Sequence, residues 1–181
     1  MTTWFGRTLD GMYGLLIEEQ VLRDLERMCR DAGSVETGGI LVGRYSEDLA
    51  VAIAREVTPP PLDSQRGATW FNRGIAGLRD KLRRRWGSKE RTYYLGEWHY
   101  HPSVGLEPSA TDISQMLTIR DDSSYHCTAP VMLIFGQSAD GDDRPIRAFV
   151  FARSNAIAEI LQLPNNSMQL MALRAAADAK H

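Results

Sequence analysis

At 181 residues the chain suits one domain with a substantial core and is too short for two comfortable ones. It is 43% hydrophobic and 24% charged, with a formal net charge of −2, a balance in which nothing asks for nucleic acid or an acidic membrane surface as a general partner. The start, "MTTWFGRTLDGMYG", lacks the apolar run and small-residue cleavage site of a secretory signal, and no stretch approaches a membrane span. Cys29 and Cys127 are too few for a disulfide framework and are expected as core fillers in a reducing, cytoplasmic setting.

In chain order, "LLIEEQVLRDLERMCRDAG" places Val21, Leu22, Leu25, Met28 and Cys29 at helical spacing, and Gly33 sits where a helix ends. "GGILVG" (38–43) and "LAVAIAREV" (49–57) read as two strands joined by a polar turn around "RYSED". The prolines of "TPPPLDSQRG" (58–67) remove backbone donors and fix φ, so this segment is expected as a surface loop. "NRGIAGLRDKLRRRW" (72–86) reads as a helix with Ile75, Leu78, Leu82 and Trp86 on one stripe and its basic run on the wet face. "TYYLGEWHYH" (92–101) is a strand by composition, and "SATDISQMLTIR" (109–120) a helix. "APVMLIFG" (129–136) and "PIRAFVFA" (145–152) are strands joined by "QSADGDDR", where Asp-Gly marks a turn. The tail from Ser154 is expected to be helical, with a break at Pro164. The pattern is α+β, a mostly antiparallel sheet flanked by helices, with a core over about 15–153.

The chemistry concentrates in "GEWHYHPSVGLEPSATD" (96–112). His99 and His101 are two apart on a strand, so both side chains leave the same face and can reach one ion. Pro102 ends the strand, and Asp112 in the first turn of the next helix can swing back as an oxygen ligand. Two histidines, an aspartate and an open position describe a hydrolytic zinc site, because structural zinc is normally closed by four protein groups. Taken alone, Ser109 and Asp112 are a helix start of the capping-box kind. A cap does not explain the two histidines on one face, and the joint pattern favours metal. Hydrolysis also needs a proton carrier. Glu97 shares the histidines' face and Glu36 stands at the head of "ETGGILVG". Spacing does not choose between them, and Glu97 can instead orient a ligand histidine by accepting its other N–H. Glu107, in a proline-bounded loop, is expected to face solvent.

"HYHPSVGLEPSATD" matches His-x-His-Pro-x6-Ser-x2-Asp without a gap, and Glu36 upstream completes the set. In this the sequence resembles the JAMM zinc metallopeptidases of the JAB/MPN group, which hydrolyse isopeptide or peptide bonds after ubiquitin-like C-termini. The resemblance implies an MPN/JAB, cytidine deaminase-like fold across the chain. By position it makes His99, His101 and Asp112 the Zn2+ ligands, Glu36 the general acid/base and Ser109 the oxyanion donor. It thereby prefers Glu36 to Glu97, which local geometry did not.

"ETGGILVG" and "YLGEWHYHP" are most similar to stand-alone prokaryotic JAB proteins, including the deconjugating peptidases of CBASS antiphage operons. That resemblance implies a substrate with an extended C-terminal tail, a cGAS/DncV-like nucleotidyltransferase conjugated to its targets. A partner E1–E2 enzyme would have to come from another chain. Substrate contact is expected from the "PPPLDSQRG" loop and from 102–108. A rival within the same chemistry is a peptidase that trims another ubiquitin-like or sulfur-carrier protein, and RadC-type JAB proteins fit "ETGGILVG" and "GEWH" less well. From a different class, a non-catalytic MPN scaffold would be expected to have lost metal ligands, and none is missing here.

Overall fold

The apolar runs pair edge to edge into one mixed sheet that closes on itself. The computed structural model describes residues 3–102, 105–138, 144–153 and 157–164. In chain order the strands are β1 (Trp4–Arg7), β2 (Gly14–Ile17), β3 (Thr37–Tyr45), β4 (Val51–Val57), β5 (Gln65–Arg66), β6 (Phe71–Asn72), β7 (Tyr93–His101), β8 (Val131–Gly136), β9 (Ile146–Phe151) and β10 (Ile157–Gln162). The helices are α1 (Glu19–Ala32), α2 (Leu78–Trp86) and α3 (Ala110–Asp121), with a 3₁₀ turn at Ser123–Tyr125. The closed sheet runs β1-β10-β9-β8-β7-β3-β4-β2, and β5 pairs only with β6. β2–β4 and β7–β8 are parallel and the other neighbours antiparallel. The α+β expectation holds. No described helix is long and apolar enough to cross a membrane.

Both faces of the central strands are buried, which is why they read as near-continuous apolar runs. On one face Leu41, Leu95, Trp98, Tyr100, Leu133 and Phe135 join Val21, Leu22, Leu25 and Cys29 of α1. On the other, Ile40, Tyr94, Met132 and Ile134 meet Met116 and Ile119 of α3. Cys29 and Cys127 are free and buried, as expected.

Gly96 sets which face each residue of β7 takes. The β3–β7 register slips between Leu41 and Val42, leaving Leu95 as an extra residue, and Gly96 sits at φ 153°. A Cβ there would lie 1.8 Å from the Val131 carbonyl oxygen, so only glycine fits this β-bulge. Beyond it Trp98 and Tyr100 turn into the α1-side core. Glu97, His99 and His101, the alternate positions, therefore face α3.

Three sequence expectations are corrected. Residues 157–162 are not helical: they form β10, which pairs with β9 and β1 and completes the sheet. Ala158 and Ile160 turn inward at a period of two while Ile157 and Leu161 stay exposed, and two open sheet edges offer this segment a ladder that a helix cannot use. The core consequently reaches beyond 15–153 to Trp4, Phe5 and Ile160. The helix expected over 72–86 begins only at Leu78, because Asn72 pairs with Gln65 and Gly77 takes a left-handed φ of 75°. Its stripe is divided: Leu78 and Leu82 are partly buried and pack against the α3-side core, while Ile75 and Trp86 are exposed. Finally, the 58–67 loop is structured at its end, where Gln65 and Arg66 pair with Asn72 and Phe71. The "QSADGDDR" turn lies largely outside the described residues, as does the tail from 165.

Since Ile160 is buried between β9 and β1, Ile160→Ala should lower unfolding free energy by about 2–4 kcal/mol in urea titrations. A change below about 0.5 kcal/mol would mean that the strand is not part of the core.

Candidate metal centre

The site is built where the end of β7 meets the start of α3, with the head of β3 beside it. His99 and His101 leave β7 on the α3 side, and both are buried. Ser109 caps α3: its Oγ accepts from the Asp112 N–H at 3.1 Å, and Asp112 Oδ2 accepts from the Ser109 N–H at 2.8 Å. This capping box aims Asp112 back at the histidines. Asp112 Oδ1 is 3.0 Å from His99 Nδ1, and Oδ2 is 3.9 Å from His101 Nε2. One ligand atom from each of the three residues falls within 4.8 Å of the others.

The outer nitrogens of both rings are already held. His101 Nδ1–H donates to the Gly105 carbonyl at 3.3 Å, leaving the Nε2 lone pair facing Asp112. His99 Nε2 meets Glu97 Oε2 at 3.5 Å, which leaves Nδ1 facing Asp112. That Nδ1 is buried and makes no hydrogen bond, although a carboxylate oxygen stands 3.0 Å away. Two imidazole nitrogens and a carboxylate converging in a buried space, one nitrogen without a well-formed hydrogen bond, fit a small divalent cation, with each imidazole oriented through its far side.

Charge in the site is unevenly matched. Burial would push Asp112 up, but His99 and the Ser109 contacts outweigh it and hold the carboxyl down at about 2. Burial would push His99 down, yet the Asp112 and Glu97 carboxylates raise it to about 9. His101 is lowered, chiefly by burial.

Glu36 reaches this group from β3. Gly38 pairs with His99 and Thr37 with Tyr100, so the next position outward sets Glu36 opposite His101. Gly38 is required here, because a Cβ would lie 2.5 Å from the Trp98 carbonyl oxygen and 2.9 Å from the His99 ring. Glu36 is 5% exposed. Burial, with the Asp112 charge adding to it, pushes its carboxyl up to about 7. Glu97 is held differently. It is fully buried, with Arg73 Nε donating to Oε1 at 2.7 Å and Gln115 Nε2 donating to Oε2 at 2.7 Å. Burial alone would raise it, but His99 and Arg73 keep it below the usual carboxylate range. Glu107 is exposed and pairs with Arg147.

Sequence reasoning missed three residues. Gln115 lies three positions after Asp112, a spacing that puts it on the same helix face. Arg73 and Phe71 come from the excursion between β4 and α2 and carried no local signal. Phe71 sets its ring edge-on to His99, with centroids 5.2 Å apart.

A family described as prokaryotic homologs of the JAB domain matches residues 18–151. The chain belongs to this prokaryotic JAB family. It is 44% identical over 130 residues to a protein of Enterobacter hormaechei subsp. hoffmannii named CD-NTase/cGAS isopeptidase, covering 72% of this chain and 71% of that one. A solution structure of a Desulfitobacterium hafniense protein superposes with a TM-score of 0.52 at 21% identity, over 81% of this chain and 88% of that one. At that identity the likeness speaks for the fold alone. The family match spans every residue of the buried cluster, from Glu36 to Asp112.

A carboxyl that ionises near 4.5 unfolded and about 7 folded costs stability once it is charged. The cost is absent below the unfolded value and complete above the folded one. In this JAB chain, stripped of metal, Glu36→Gln should therefore be the more stable form by about 1–3 kcal/mol at pH 8. The gap should close below pH 4.5 in urea titrations. A gap that widened on acidification would reverse the sign argued here.

Proposed function

We propose that this chain is a zinc-dependent isopeptidase that releases a cGAS/DncV-like nucleotidyltransferase from proteins to which its C-terminus has been conjugated, as in CBASS antiphage systems. The observation that carries the reading is the convergence of His99, His101 and Asp112 around an unpartnered buried nitrogen, with Glu36 at their side. Kinship with a protein named CD-NTase/cGAS isopeptidase supports the substrate class.

His99, His101 and Asp112 would hold the ion. Zinc bound there supplies Lewis acidity, polarising the scissile carbonyl and easing deprotonation of water. Glu36 accepts that proton and delivers it to the leaving amine. Ser109 Oγ already accepts from the Asp112 N–H, and accepting there leaves its own O–H able to donate to the carbonyl oxygen as negative charge develops. The cap and the oxyanion donor are thus compatible uses of one hydroxyl. Glu97 is occupied by Arg73, Gln115 and His99 and is not available to move a proton. The segment between β4 and α2 lies against His99 and exposes Leu62 and Trp70, which suits it to guide an extended C-terminal tail. An E1–E2 enzyme in the cytoplasm would supply the conjugate.

The test is to offer the purified chain a nucleotidyltransferase whose C-terminus is fused to an acceptor protein. Cleavage at the junction is expected, lost with chelator and restored by zinc. Cleavage confined to a ubiquitin-like or sulfur-carrier fusion would redirect the substrate assignment, and protein that takes up no metal would point to a scaffold. His101→Ala should lose zinc. Glu36→Gln should keep zinc while kcat falls by about 10²–10⁴-fold, and Ser109→Ala should lower kcat by about 10²–10³-fold. Activity should also fall on acidification, as protons displace the ion from the imidazoles. A flat profile down to pH 4 would rule the mechanism out.

A further inference from the structure

Glu97 touches the ligand cluster only through His99, yet two other residues fix it. Arg73 Nε holds one carboxylate oxygen and Gln115 Nε2 holds the other, each at 2.7 Å, so neither rotation nor sliding of the carboxylate is free. The second oxygen is the one facing His99 Nε2. Arg73 is itself fixed: Nη1 donates to the Gly74 carbonyl at 2.9 Å and Nη2 to Tyr125 Oη at 3.4 Å. The side chains of Arg73 and Glu97 are 4% and 1% exposed.

The segment that carries Arg73 is tied at its base. Asp63 accepts from the Ile75 and Ala76 N–H groups, and Ser64 Oγ from the Gly74 N–H. The same segment reaches the cluster twice more. The Gly67 carbonyl accepts from the Glu36 N–H, and Phe71 packs on the His99 ring.

We propose that Arg73 and Gln115 are positioning residues for the metal site. They lock Glu97 so that His99 keeps its proton on Nε2 and presents the Nδ1 lone pair to the ion. The inference rests on the metal-site reading above and goes beyond it, because it makes the excursion between β4 and α2 part of the ligand geometry. A buried ion pair is poor evidence of stability on its own. This one has a geometric use, since a ligand histidine held through its far nitrogen is oriented before the metal arrives.

The experiment measures zinc affinity by competition with a chromophoric chelator, alongside steady-state kinetics. Gln115→Met removes a part-buried neutral group and should fold, and Arg73→Lys keeps the charge but loses the fork. Each should weaken zinc by about 10–100-fold and lower kcat, with KM within about twofold. Glu97→Gln should do the same, and adding Arg73→Lys to it should cost little more, because both act through one contact. Nitrogen-resolved NMR of the metal-free proteins at alkaline pH gives a readout independent of zinc. His99 should show the single Nε2–H tautomer in the parent and mixed tautomers in Gln115→Met and Arg73→Lys. Unchanged zinc affinity in both variants, or losses that add to that of Glu97→Gln, would overturn the proposal. A parent that takes up no zinc while the variants still lose the single tautomer would refute the metal reading and uphold the positioning role.

Discussion

Ser109 and Asp112 exchange two hydrogen bonds at the start of α3, and the buried cluster depends on that exchange. A capping box ordinarily satisfies orphan N–H groups of a first helical turn. Here its acidic member is also 3.0 Å from a buried histidine nitrogen. An ionised carboxylate is tolerated at that depth because the Ser109 N–H and the positive end of the helix meet it from one side and His99 from the other. The helix start and the buried cluster are one structure, so the cap reading of these residues is compatible with the metal-site reading.

The cap holds only one side of the cluster; the sheet holds the other. Glu36 reaches the histidines because β3 pairs antiparallel with β7 in a register that sets Gly38 against His99. Two glycines make that geometry possible. Gly38 leaves room for the His99 and Phe71 rings, and Gly96 permits the bulge that turns Glu97, His99 and His101 toward α3. A one-residue slip in this register would swap the two faces, sending the histidines into the α1-side core and Trp98 and Tyr100 toward α3.

What was legible in the sequence follows the range of the interactions. The strand–loop–helix of 96–112 is local, and its spacing foretold the shared face, the proline stop and the cap. The same-face argument held because all three polar residues of β7 lie beyond the Gly96 bulge. The placement of Glu36 needs a long-range strand pair and was available only through resemblance. Arg73 is invisible for the same reason, since its partner Glu97 is set by tertiary packing. β10 was misread as helix because "IAEILQ" is short and rich in helix formers, and open sheet edges outweigh propensity at that length. The α2 stripe was legible only in part, because Leu78 and Leu82 pack on the edge of the core while Ile75 and Trp86 lie beyond it.

Three carboxylates, Glu36, Glu97 and Asp112, lie around the two histidines, and among the described residues Arg73, paired with Glu97, is the permanent cation in contact with any of them. That leaves about two negative charges to be answered in a buried space, where unpaired charge is expensive. The metal-free chain answers with protons, one on His99, raised to about 9, and one shared with solvent by Glu36, raised to about 7. Glu97 and Asp112 stay ionised because each has fixed donors. A divalent cation among the ligand atoms would answer both charges at once, displacing the His99 proton and favouring the Glu36 carboxylate. Two carboxyls with opposite environments on one face thus have different roles open to them. Glu97 is fastened and remains charged, whereas Glu36, raised to about 7, can gain and lose a proton near neutral pH.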